Sequence, residues 1–312
     1  MGYGRFVLRR LLQSVPTFAL ITVLVFLLVR LLPGDPASAM LGDRATDATV
    51  ARINAALGTD QPIALQFLRF LGRLLQGDFG QSQVLHMPVT ELIGERMPVT
   101  LLLSAYAMVM AIVIAVPLAF LMALHRGRML DTVLRGMFQL GLSMPTFYLG
   151  LLFLTVLGAH LRLFPVGGLG RGPVDMLYHL FLPALTLGFS LAAVIARSLR
   201  AAILEVLEAD YVDFARAKGL PERLVLGRHV LRNALISTVT LFGINLGQLI
   251  GGAVITETIF SLPGVGRLLI DAVFGRDYPV IEGLTMVFAV LVSFIFIATD
   301  LFQAWLDPRV HQ

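Results

Sequence analysis

VTLLLSAYAMVMAIVIAVPLAFLMAL, running from Val99 to Leu124, carries no charged residue from end to end. That run decides the class of fold. A helix rises 1.5 Å per residue, so about 20 mainly apolar residues cross roughly 30 Å of hydrocarbon with their backbone groups bonded to one another. Five further uncharged stretches lie outward from it: Leu11–Val29, Gly136–Ala159, Met176–Ala196 with His179 counted as neutral, Asn233–Thr256, and Gly283–Thr299, which continues past Asp300 to Leu306. The reading is an all-α membrane protein with six transmembrane helices. Pro117 and Pro145 fall inside the second and third spans, where neighbouring helices can satisfy the carbonyls a kink frees. Pro183 marks the entry to the fourth.

The composition agrees. The 312 residues are 57% hydrophobic and 14% charged, with mean hydropathy +0.84, where soluble domains carry about 25% charged residues. Lys218 is the only lysine, so the net charge of +4 reflects arginines placed around the spans and implies no nucleic-acid partner. Cysteine is absent, which excludes disulfides, thiolate metal sites and cysteine catalysis. Arg9 and Arg10 ahead of an apolar run, with Ala37-Ser38-Ala39 behind it, imitate a signal peptide, but Leu11–Val29 is longer than an h-region of about 7 to 15 residues.

Orientation follows from arginine and lysine in the short connections. Fourteen fall at the N-terminus, in the second-to-third and fourth-to-fifth connections and at Arg309. Nine are spread over the much longer segments of the other side. Both termini are therefore expected in the cytoplasm. The chain then divides into residues 1–32 with the first span, an external segment 33–98, and a transmembrane core 99–312 whose cytoplasmic elbow occupies about 203–232. In the external segment Ile63, Phe67, Leu68, Phe70, Leu71, Leu74 and Leu75 form an apolar stripe, with Gln66, Arg69, Arg73 and Gln76 largely on the other side. This is an amphipathic helix, either lying against membrane and bundle or presenting a docking surface. Pro263, Gly264, Gly266 and Pro279 predict a shaped loop between the fifth and sixth spans.

The elbow is the most informative stretch. Asp210–Lys218 reads as a short helix, Gly219 as its left-handed terminator with Leu220 as the apolar contact, and Pro221 as the first residue of a second helix. The elbow combines charged Asp210, Asp213, Arg216 and Lys218 with small Ala215 and Ala217, a mix suited to a groove of another protein, or to a solvated loop, rather than to lipid. In the fifth span, Gly243, Gly247 and Gly251 form a small-residue ridge suited to close helix approach. Thr238, Asn245, Gln248, Gly252 and Thr256 cluster roughly opposite, where they either line an aqueous path or bond to other helices. Arg30, Glu257 and Asp300 sit toward span ends, where snorkelling is expected.

Other chemistries lack their signatures. There is no G-x-x-x-x-G-K-[ST] phosphate loop, so this chain is not expected to hydrolyse ATP itself. HExxH and GxSxG are missing, and no catalytic or metal site is expected. A membrane redox subunit would need paired histidines within spans, yet His86, His125, His160, His179, His229 and His311 fall in connections or near span ends. A secondary transporter would commonly show inverted repeats and buried ionisable residues near the midplane, and neither is visible.

From Tyr211 to Leu235 the elbow reads YVDFARAKGLPERLVLGRHVLRNAL. It resembles the EAA loop of ABC-importer permeases: Asp213, Phe214 and Ala215 hold the EAA positions and Gly219 and Leu231 match, while His229 and Arg232 replace the usual Ile and Pro. RRLLQSVPT (9–17), LLPGDPA (31–37), TDQP (59–62), GDFGQS (77–82), ERMPVTLLL (95–103), FSLPGVGRLL (260–269), RDYPVI (276–281) and LDPRV (306–310) are similar to the first permease subunit of the dipeptide, oligopeptide, glutathione and nickel branch. The resemblance implies a type I importer fold in the bacterial cytoplasmic membrane. The implied partners are a second homologous permease, two cytoplasmic ATPases that use ATP and Mg, and an external solute-binding protein. On this reading Asp213, Ala215, Ala217, Lys218, Gly219, Leu220 and Leu231 couple to the ATPases. Peptides are the expected solute, with nickel chelates or other small solutes as the alternative.

Overall fold

The computed structural model describes residues 3–31, 46–57 and 60–306. The LLPGDPA string beyond Leu31, Thr59, the LDPRV string beyond Leu306, and Arg44, Arg309 and Ala37-Ser38-Ala39 lie outside them. Among the described residues the regular elements are all helical: α1 (Tyr3–Leu31), α2 (Asp47–Leu57), α3 (Ile63–Leu75), α4 (Val89–Leu124), α5 (Met129–Ser143), α6 (Thr146–Phe153), α7 (Pro173–His179), α8 (Phe181–Leu207), α9 (Asp210–Ala217), α10 (Glu222–Leu224), α11 (Arg232–Ile259), α12 (Val265–Gly275) and α13 (Tyr278–Leu306). Two wide π-type turns extend helices, Leu154–His160 after α6 and Val225–Leu231 between α10 and α11.

Lipid is as apolar as leucine, so helices in a bilayer associate through close packing rather than hydrophobic exclusion. The pairing of α4 with α8 follows that rule. On α4, Leu103, Ala107, Ala111, Ala115 and Ala119 recur every fourth residue and are fully buried. They face Gly188, Ala192 and Ala196 of α8 at the same spacing. A Cβ on Gly188 would lie 2.8 Å from the Ala107 carbonyl oxygen, so only glycine permits this approach. The large side chains Leu101, Val109, Ile112 and Val113 point outward instead. Pro117 interrupts nothing: α4 is continuous through it and begins at Val89, before the uncharged run.

Among the described residues α4, α8 and Tyr278–Gln303 of α13 are long and apolar enough to cross a membrane, and α5 with α6 supplies a fourth crossing if the pair is one span. That pair corrects an expectation. Pro145 does not merely kink the third apolar segment; α5 and the Thr146–His160 helix are bent by 108° around Met144 and Pro145. Proline lacks the amide hydrogen, and the residue before it avoids helical backbone. Met144 accordingly sits at φ −87° and ψ 132°. Helices α1 and α11 are 29 and 28 residues long.

Two charges placed near span ends are bonded within the protein. Arg30 of α1 pairs with Glu282 of α13 at 2.8 Å, donates to Gln66 of α3 at 3.0 Å, and lies 3.5 Å from the Phe26 ring centroid. It joins three elements. Glu257 is fully buried and accepts from the Thr100 hydroxyl at 2.5 Å and the Arg267 amide at 3.0 Å, while Thr100 Oγ1 accepts from the Val265 amide at 3.0 Å. The two side chains thus satisfy the first amides of α12, which no residue of its own cap reaches. Helix α3 packs Phe67, Phe70 and Leu74 around Val25, Phe26 and Met286, yet Ile63, Leu65, Leu68 and Leu75 remain exposed.

Candidate functional site: elbow and polar cavity

Helix α9 ends as its sequence predicts. Gly219 takes φ +75°, its amide donates to the Arg216 carbonyl at 2.9 Å, and the Leu220 amide reaches back to the Ala215 carbonyl at 3.4 Å. This bond pair is the Schellman arrangement, with Leu220 as the residue following the left-handed corner. Pro221 precedes α10 and has extended backbone, one residue short of the helical start expected of it.

The two faces of α9 differ. Val212 and Ala215 are buried and join the main apolar cluster with Val225, Val230 and Ala234. Tyr211, Asp213, Phe214, Ala217, Lys218 and Gly219 are exposed. Lys218 Nζ stands 4.6 Å from the Phe214 ring centroid, so cation and aromatic ring form one outward surface. Of the coupling residues expected from sequence, Ala215 therefore faces the bundle, Leu220 and Leu231 are half-buried, and the other four are exposed.

The corner is also braced from outside. Arg216 donates to Glu222 Oε1 at 3.0 Å and Oε2 at 3.4 Å, and to Asp213 Oδ1 at 3.4 Å. These bonds, the one to Glu222 foremost, raise the pKa of the guanidinium above its ordinary value. Arg216 and Glu222 flank a Gly-Leu-Pro turn, so no helical spacing flags them in the sequence.

The fifth apolar segment separates into the faces its periodicity implies, with exceptions. A Cβ on Gly243 would overlap Thr299, and one on Gly247 would touch Phe296 at 3.4 Å, so both glycines pack on α13. Gly251 has nothing within 4 Å of that position. Asn245, Gln248 and Gly252 line a cavity of 240 Å³ with Ser190 of α8 and with Met144 and Thr146 at the break between α5 and α6. Thr238 and Thr256 do not join them: each hydroxyl bonds to its own helix, at Ala234 O (2.5 Å) and Gly252 O (3.0 Å). Ser190, Met144 and Thr146 escaped the sequence reading; the signal was Pro145, which opens the apolar segment beside the polar face of α11.

Residues 115–312 match the family model of the binding-protein-dependent transport system inner membrane component. The chain belongs to that family. Residues 3–104 match the N-terminal model of the same membrane component. The glutathione transport system permease protein GsiC of Salmonella paratyphi A is 40% identical over 306 residues, covering 98% of each chain. Its namesake in Escherichia coli K12 is 39% identical over the same 98% of both. The fold is similar to that of the MetNI methionine ABC transporter in an inward-facing conformation, with TM-score 0.60 and 19% identity over 70% of this chain and 97% of that one. An amino acid ABC transporter solved with histidines gives 0.53 and 15% over 69% and 94%. The permease is an inner-membrane component of an ABC importer, and ATP hydrolysis is the work of separate subunits.

Proposed function

We propose that this permease imports peptides, di- or oligopeptides or glutathione, as one of two homologous halves that enclose the path. Six spans, with α5 and α6 as one broken crossing, place both termini and the elbow in the cytoplasm. Two ATPases receive the exposed face of α9, and an external solute-binding protein delivers the solute. The observation that supports the solute class is the 40% identity, over 98% of both chains, to a glutathione permease. The exposed, braced corner at Gly219 supports the docking.

ATP-driven closure of the ATPases moves α9, and the movement reaches α11 through α10 and the turn Val225–Leu231. Asn245, Gln248 and Gly252 then change their exposure to the path. A Cβ on Gly219 meets nothing within 4 Å, so a large side chain there projects toward the docked ATPase, on a backbone strained by its φ of +75°. The deciding experiment is uptake of labelled glutathione and dipeptides by the four-subunit complex with its binding protein in ATP-loaded proteoliposomes. Uptake that persists without the ATPases, or an elbow reached by impermeant reagents from outside the cell, would refute the reading.

A further inference from the structure

A second cavity, of 470 Å³, lies between α4, α5 and α8 toward the end of the bundle where α8 leads into the elbow. Phe138, Leu142 and Met122 form part of its apolar wall, and Arg135, Arg197 and Arg200 enter it beside Gln139. Leu142 lines this cavity and the polar one described above. The same two helices carry both in succession: α8 offers Ser190 and Val194 to the first and Arg197 and Arg200 to the second, and α5 offers Gly141 to the first and Gln139 and Arg135 to the second. The lining changes along this course from neutral amide and hydroxyl to guanidinium.

The charges are unbalanced. Asp131 is 1% exposed and takes two bonds from Arg200, at 2.9 and 2.8 Å, while Arg135 stands 3.3 Å away. Arg197 is exposed and has no ion pair among the described residues. Three guanidiniums thus border the cavity against one carboxylate, which two of them share, and arginine keeps its charge at any working pH. Arginines that served only to orient the helices would have no reason to converge on one concavity with their lone carboxylate buried behind it. Walls of low polarity concentrate the field of such a cluster.

We propose that this cavity is the exit vestibule of the path and that its surplus of positive charge favours solutes bearing net negative charge, with Arg197 as the group that meets their carboxylate. The solute's route rests on the transport reading above; the charge and accessibility of the vestibule do not. Arg200 and Arg135 hold the wall through Asp131, and Arg197 stays free to bind. The result is preference by electrostatic attraction, without a fixed side-chain pocket.

The chain has no cysteine, so Gln139→Cys places a single thiol of this chain in the vestibule. In the assembled importer in nanodiscs, its reaction rates with an anionic sulfonatoethyl and a cationic trimethylammonium-ethyl methanethiosulfonate are compared, each relative to a free thiol. The anionic reagent should be favoured about tenfold. Arg197→Gln should lower that ratio about threefold and Arg197→Lys should retain it, with Arg135→Gln as a second charge deletion should Arg197→Gln not assemble. No anionic preference, or a ratio indifferent to these deletions, overturns the proposal. Labelling blocked in phosphatidylglycerol nanodiscs but open in phosphatidylcholine ones would also overturn it, since a lipid headgroup would then be the occupant. Uptake supplies a separate arm: Arg197→Gln should depress import of glutathione at least fivefold more than import of its dimethyl ester, and equal loss for both rejects the charge selection. Anionic preference in labelling, with no peptide of any charge imported by the unaltered complex, supports the vestibule and rejects the peptide reading.

Discussion

Asp277 accepts the hydroxyl hydrogen of Ser82 and the amide hydrogens of Gln83 at 3.1 Å and Val84 at 3.3 Å, although the residues stand almost two hundred positions apart. The carboxylate is 2% exposed, and it fastens the loop ahead of α4 to the turn between α12 and α13. Two strings singled out in the sequence, GDFGQS and RDYPVI, prove to be halves of one joint. Asp277→Ala strands three donors and should destabilise the protein by about 3 kcal/mol, while Ser82→Ala, which leaves both amide bonds to Asp277 but removes the acceptor of the Leu85 amide, should cost about 1 to 2 kcal/mol. Thermal unfolding in detergent checks the order of the two.

Arg30 and Glu282 bridge α1 and α13 in a partly buried setting. Removing one charge leaves the other unpaired, whereas removing both leaves neither. Arg30→Met alone should cost about 3 kcal/mol, and Arg30→Met with Glu282→Leu should recover most of it. A double-mutant cycle on unfolding midpoints measures the difference; additive losses would contradict it.

Gly188 and Gly251 both lie within long helices but meet different surroundings. Alanine at Gly188 presses on the Ala107 carbonyl at 2.8 Å and should cost about 1 to 3 kcal/mol. Alanine at Gly251 meets nothing within 4 Å and should be neutral or stabilising by up to about 1 kcal/mol. Unfolding midpoints of the two variants provide the comparison.

Gly219 holds φ +75° with open space above it. Asparagine tolerates that backbone and valine does not. Gly219→Asn should preserve most ATP-driven uptake, Gly219→Val should lose most of it, and Gly219→Trp should abolish co-purification of the ATPases. Normal uptake by the tryptophan variant would place the ATPase contact elsewhere.

The apolar runs and the Gly219 corner were legible because each depends on local chemistry: a span needs length and apolarity, and a left-handed corner needs glycine. What sequence could not supply was partnership at a distance. Arg30 and Glu257 stand near the ends of apolar runs, where access to water is the ordinary outcome. Their actual partners, Glu282 for the first and Thr100 with the α12 amides for the second, arrive only when helices remote in sequence pack together. Thr238 and Thr256 show the converse. Periodicity put them on the polar face of α11, but a threonine hydroxyl can bond to the carbonyl four residues back, and both do. Pro145 was visible as an interruption, while the 108° turn depends on where α8 and α11 leave room for it.

Arg216 bonds to Glu222 across the bend at Gly219. Glycine would ordinarily make such a place compliant, yet here two backbone bonds lock its inner side and the guanidinium latches its outer side. In the proposed coupling, a push on α9 passes through α10 and the turn Val225–Leu231 before it reaches α11. From the foot of α11 one helix runs to Asn245 and Gln248, which line the polar cavity. One shaft thus links the end of the elbow to the wall of the polar cavity.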